Sequence, residues 1–124
     1  MLKINPKLFE EVIFENSTGL NDSINFTKSI RKYSKIKIFS KITFSGYTAY
    51  FTTECEAVVG GSVSIEQPRL HSSGLWLNDT AIYLMNEKSL TKTYEADVRI
   101  TESNTVQFNK NTTRTLITKV IGII

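Results

Sequence analysis

The stretch Tyr94-Glu95-Ala96-Asp97-Val98-Arg99-Ile100 decides how this chain is read. Apolar and charged residues alternate without a break. An extended backbone would put Tyr94, Ala96, Val98 and Ile100 on one side and Glu95, Asp97 and Arg99 on the other. A helix would scatter both sets around its axis. The expectation is a strand with a dry side formed by the Tyr94 set and a wet side formed by the Glu95 set. Glu102-Ser103-Asn104 follows as a tight turn, and Val106 and Phe108 then resume the pattern. The two runs are predicted to form a hairpin.

The same period of two recurs along the chain. Ile36, Ile38 and Ser40 fall on one face of Ile36–Ile42, and Ile82, Leu84 and Asn86 alternate with Ala81, Tyr83 and Met85. Strands are predicted over 8–15, 22–28, 34–44, 47–54, 58–66, 74–77, 80–86, 91–101, 104–108 and 114–123. Between them stand turn residues: Asn16-Ser17-Thr18-Gly19, Ser45-Gly46, Gly60-Gly61, Ser72-Ser73-Gly74, Asn78-Asp79 and Asn109-Lys110-Asn111. Gly60-Gly61 reads either as a break or as a bulge within a strand. No segment carries a helical stripe of useful length. About ten short strands at such spacing predict an all-β fold, an antiparallel β-sandwich of jelly-roll-like type. The expected organisation is a lead-in over 1–7 and one sandwich domain over 8–124.

Composition agrees with one globular domain. The chain has 124 residues, 40% hydrophobic and 10% aromatic, which excludes a disordered chain. Net charge is +3 with no long basic run, so neither nucleic acid nor a membrane is an expected partner. Lys3, Asn5 and Lys7 interrupt any apolar start, so no cleaved secretory signal is expected and synthesis is placed in a cytoplasm. Five Asn-x-Ser/Thr sequons, at Asn16, Asn21, Asn25, Asn78 and Asn111, reflect a chain crowded with these residues. Cys55, the single cysteine, stands between Glu54 and Glu56. Carboxylates on both sides disfavour a thiolate, and the expected role is that of a small buried hydrophobe.

Catalytic and metal chemistry find little support. The single histidine, His71, lies in the loop Gln67–Gly74, and no set of zinc ligands or phosphate-binding glycine loop is present. Glu54 with Glu56, and Glu95 with Asp97, share strand faces about 7 Å apart, a spacing a glycosidase could use. Solvated sheet faces produce the same pairs, and that is the expectation here. No catalytic residue, metal or cofactor is therefore assigned. The aromatic residues offer a binding hypothesis. Trp76 in Gly74-Leu75-Trp76-Leu77-Asn78-Asp79, with Tyr47 and Tyr50, could stack on sugar faces while Asn78 and Asp79 bond hydroxyls. The competing expectation is ordinary packing in the core and sheets.

Three stretches resemble a known family. They are Leu8–Gly19, a strand closed by a small polar turn; Tyr33–Phe39, a Tyr followed by alternating Ile and Phe; and the hairpin at Val98–Ile100 and Val106–Phe108 with the closing run Leu116–Ile123. Together they resemble tail fibre and baseplate domains of phages and prophages of Gram-positive bacteria. The resemblance covers nearly the whole chain and is weakest over about 52–90. It implies a virion structural module of the distal tail, fibre or baseplate, assembled in the bacterial cytoplasm. It also implies other virion tail proteins as partners, a homotrimeric state, and a link to host cell-surface glycan through attachment. The apolar end Val120-Ile121-Gly122-Ile123-Ile124 points the same way if partner subunits cover it. The alternative function is a stand-alone carbohydrate-binding module or small adhesin domain.

Overall fold

Nine strands run through the described residues: β1 (Glu10–Leu20), β2 (Ser23–Asn25), β3 (Lys35–Phe44), β4 (Tyr47–Glu56), β5 (Ser62–Leu70), β6 (Trp76–Asn86), β7 (Ser89–Ile100), β8 (Val106–Lys110) and β9 (Leu116–Ile123). The computed structural model describes residues 9–44, 46–70, 76–101 and 103–124. The lead-in 1–7, the His71 loop with Ser72-Ser73-Gly74, and Ser45 and Glu102 of the turns lie outside them. The strands form two antiparallel sheets packed as a sandwich. The first has the order β1-β9-β3-β4. The second has the order β5-β6-β7, with β2 and β8 sharing the far edge of β7, β2 against Ser89–Thr91 and β8 against Ala96–Ile100.

The predicted hairpin is present. Ile100 faces Val106 and Val98 faces Phe108, and Thr101 N–H donates to Thr105 C=O at 2.9 Å. Other boundaries differ from expectation. From Trp76 onward the predicted runs 74–77 and 80–86 are one strand, because Asn78 and Asp79 pair on both sides and do not turn. Asn16–Gly19 bulges out of β1 without ending it, its backbone gathered by Asn16 Oδ1, which accepts from Thr18 and Gly19 N–H, each at 3.0 Å. Gly60-Gly61 is a true break, with Gly60 left-handed at φ +88 where the chain passes from β4 in one sheet to β5 in the other.

The interior changes character along the strands. One end is apolar, built on Ile13, Ile24, Ile36, Ile38, Tyr83 and Val120. Further along, the inward positions turn polar: Ser40 in β3, Gln67 in β5, Asp79 in β6, Glu95 and Asp97 in β7, and Thr115 just before β9 are all buried. This overturns the expected facing of Tyr94–Ile100. Glu95 and Asp97 point inward, and Tyr94, Val98 and Ile100 point out. The cause is a bulge. Tyr83 faces Lys92 and Ile82 faces Tyr94, so Thr93 has no partner and the parity of the strand inverts there. Glu54 and Glu56, in contrast, are solvent-exposed as expected.

The closing run also finds its place within one chain. Strand β9 lies between β1 and β3, with Ile117 and Val120 fully buried. Its apolarity is accounted for by this sandwich and does not itself require a partner subunit. Gly122 is needed where it stands, because a Cβ there would come within 2.5 Å of the Tyr33 ring. Tyr33 is held in turn by its hydroxyl, which donates to Glu11 at 2.7 Å. Lys28 and Lys32 converge on the same carboxylate. The bonds from Lys28, Tyr33 and Lys32, in that order, hold Glu11 down at about 2.

Candidate functional site

The inverted half of β7 leaves an apolar surface on the outside of the five-stranded sheet. Cross-strand register orders it into rows. Leu70, Trp76, Ile100 and Val106 form one row across four strands, and Pro68, Asn78, Val98 and Phe108 form the next. Leu70 is 69% exposed, Val106 66% and Phe108 53%. Trp76, Val98 and Ile100 are half-buried by their neighbours. Within the second row the Asn78 Oδ1 is covered yet has no hydrogen-bond partner. Soluble surfaces rarely leave so many large apolar side chains contiguous without a use for them.

Trp76 and Asn78 thus share a face, but the other proposed ligand residues are elsewhere. Asp79 is fully buried between the sheets, one residue out of phase with Trp76, so it does not offer its carboxylate beside that ring. Tyr50 is 76% exposed on the outer face of the other sheet, opposite Lys41. The sandwich therefore separates Tyr50 from Trp76. Tyr47 lies at the tip of the β3–β4 hairpin, where the Arg69 guanidinium stacks 5.7 Å from its ring centre. These residues do not form one aromatic platform. Cys55 is half-buried, and burial first, then Glu54, raises its thiol pKa, in agreement with an unreactive thiol.

The polar level of the interior is a hydrogen-bonded network, with Ser40 Oγ and Gln67 Oε1 left without a partner. Glu95 Oε2 accepts the backbone N–H of Arg114 at 2.8 Å and of Thr115 at 2.9 Å, while Oε1 accepts Asn21 Nδ2 at 2.8 Å and Lys92 Nζ at 3.2 Å. Asp79 accepts the hydroxyls of Thr112 at 2.8 Å and Thr115 at 2.7 Å. Gln67 Nε2 donates to Thr115 Oγ1 at 2.6 Å. The segment 111–115 crosses from one sheet to the other here, and its orphan N–H and O–H groups are met by carboxylates. Asp79 and Glu95 also bond each other. Burial, then the adjacent Glu95, pushes Asp79 up to about 7. Glu95 is driven up by its own burial, but bonds from Asp79, Asn21, Thr115 and Lys92 outweigh that and hold it below its ordinary value. The pair therefore shares one proton near neutral pH.

Beside this network the sandwich ends in three arginines. Arg114 Nε donates to Asp97 Oδ2 at 2.6 Å, and Arg99 stands 3.9 Å from the same carboxylate. Both guanidiniums lie over the Phe44 ring, 5.2 and 5.3 Å from its centre. Arg69 follows two strands away on the same inward face, in line with Leu77 and Arg99. Arg114 also borders an open cleft of ≈ 500 Å³, lined by Thr43, Asn111, Thr112, Thr113 and Leu116. Periodicity did not mark any of these arginines. Only the alternation of Arg99 with Glu95 and Asp97 was visible, and it was assigned to the wet face. Among the described residues no cluster of His, Cys, Asp and Glu has the makings of a metal site.

Comparison of the chain with protein-family models, with curated proteins and with solved structures found no match.

Proposed function

We propose that this domain is a non-catalytic assembly module, which packs the outer face of its five-stranded sheet against further copies of itself. This is the role expected of a tail, fibre or baseplate domain. One observation carries it: the continuous rows Leu70-Trp76-Ile100-Val106 and Pro68-Asn78-Val98-Phe108, built around a strand, β7, whose carboxylates point inward. A strand with apolar residues out and carboxylates in gains little from that facing as a lone monomer in water. It gains when a second apolar face covers it, because burying such side chains stabilises by about 1.5–3 kcal/mol each. The unpaired Asn78 Oδ1 within the patch would then meet a donor from the partner. The non-catalytic reading is supported by the saturation of Glu95, Asp79 and Asp97 with partners from the chain itself.

The test is the mass in solution by light scattering. A homotrimer would show three times the 14.1 kDa of the chain. Val106→Ser with Phe108→Ser, both on the exposed edge strand, is expected to return the protein to a monomer that unfolds as before. A wild-type chain that is monomeric at millimolar concentration would overturn the proposal. The alternative is that the same face is left free and Trp76 and Asn78 take a cell-surface glycan, as in a stand-alone carbohydrate-binding module; Trp76→Ala leaving cell binding unchanged would remove it.

A further inference from the structure

The geometry points to an anion-binding site at the arginine end of the sandwich, which takes a ligand carrying a carboxylate or a phosphate ester. Arg99 and Arg114 converge there over Phe44, Arg69 stands two strands away on the same inward face over Tyr47, and Asp97 is the one carboxylate within 4 Å of any of them among the described residues. That carboxylate is already engaged by Arg114 and by Asn109, whose Nδ2 donates at 2.7 Å. Arg99 reaches it only at 3.9 Å, and no carboxylate among the described residues pairs with Arg69. The Nε groups of Arg69 and Arg99 are both covered and have no acceptor. Covered donors on a charged group are costly to leave unmet. The complement of two underused guanidiniums is a planar or tetrahedral oxyanion, which accepts paired N–H groups.

Access and framing suit the same ligand. The Arg99 side chain is 24% exposed although its Nε is covered, so its open part faces solvent at the sandwich mouth. Phe44 holds Arg99 and Arg114 within cation–π reach of its ring, and Tyr47 does so for Arg69. Side chains held in this way lose less freedom on binding. The threonine- and asparagine-lined cleft beside Arg114 has room for the body of a sugar or a similar polar ligand behind the anionic group.

The site lies between the sheets and not on the proposed assembly face, so the two are tested separately. The probes are inorganic phosphate, methyl glucuronide, and neutral methyl glucoside. The readout is the Arg Nε–H region of a ¹⁵N-edited spectrum of the whole chain, titrated at constant ionic strength. Saturable shifts of the Arg69 and Arg99 signals with phosphate, uronate or both, and none with the neutral glycoside, are expected. The responding anion identifies the ligand class. Arg69→Gln with Arg99→Gln is expected to weaken binding at least about tenfold, while Arg31→Gln on the far surface changes nothing. If the double variant does not fold, Arg69→Gln alone serves, since that guanidinium holds no ion pair among the described residues. Absence of saturation with both anions, equal shifts with the neutral glycoside, or binding undiminished in the arginine variants would overturn the site and make the arginines structural.

Discussion

Asp79 is the residue on which acid stability turns. In the unfolded chain its carboxyl titrates near 3.8, whereas in the folded chain burial and Glu95 raise it to about 7. The folded state thus keeps a proton that the unfolded state has lost over the interval between. Stability is fully present below that interval and falls as pH rises through about 7. The melting temperature is expected to drop on the order of 5–10 °C between pH 5 and pH 8. Glu95 acts with the opposite sign: its lowered pKa gives stability that is present above its ordinary value of 4.5 and is lost as acidification carries the pH below it. Asp79→Asn, a fixed neutral side chain, is expected to flatten the decline above pH 5. Thermal melts across pH would show it, and an unchanged slope in the variant would assign the effect elsewhere. At the apolar end, Gly122→Ala forces a methyl group against the Tyr33 ring and is expected to cost about 1–3 kcal/mol in chemical denaturation. Tyr33→Leu in the same chain should recover part of the loss.

At the scale of the element, β7 shows both what a sequence reveals and what it hides. Its alternation made it a strand, and Glu102-Ser103-Asn104 made a hairpin; both are present. The rule that apolar residues face inward then chose the wrong side. A bulge has no compositional mark, and Thr93 looks like any strand residue. The partners that make Glu95 and Asp97 tolerable inside, Asn109 to Thr115, lie beyond the turn and across the sandwich. Asn78-Asp79 misled for a related reason. Both residues favour turns locally, but Asp79 has acceptors to offer to Thr112 and Thr115, a demand set by tertiary structure. The bulge predicts a sharp contrast between two deletions. Removing Thr93 joins Lys92 to Tyr94 in continuous register with Tyr83 and Ile82 and keeps Glu95 inside. That variant is expected to fold, with a cooperative melt within a few degrees of wild type. Removing Ala96 shifts the rest of β7 by one residue, turns Asp97 outward and leaves Arg114 unpaired. No cooperative transition is expected for it by circular dichroism. Equal behaviour of the two deletions would show that the bulge does not set the facing.

For the whole molecule, the reading of an all-β sandwich from strand spacing is sound, while its surfaces were beyond reach. Tyr47, Tyr50 and Trp76 are near enough in sequence to suggest one platform, yet the two-sheet architecture distributes them over different faces. The apolar closing run seemed to need a partner, whereas β9 fills a central place in the four-stranded sheet. A chain cut after residue 115 would lack the strand that joins β1 to β3. It is expected to show no cooperative unfolding, however well the remaining strands are retained. The polar half of the interior would then be open as well, since Arg114 and Thr115 lose the strand that anchors them.

The pairing of β1 with β9 also sets an order in time. During synthesis the β3–β4 hairpin and the run from β5 to β8 leave the ribosome before β9 is made, and β1 waits throughout without its neighbour. The five-stranded sheet therefore emerges with its greasy outer rows in place and its inner carboxylates not yet met by the segment 111–115. Two nascent chains on one messenger can collide through the same rows that finished subunits would use. The assembly proposed above and premature clumping would then compete for one surface. The pace at which β9 is translated would decide how long that competition lasts.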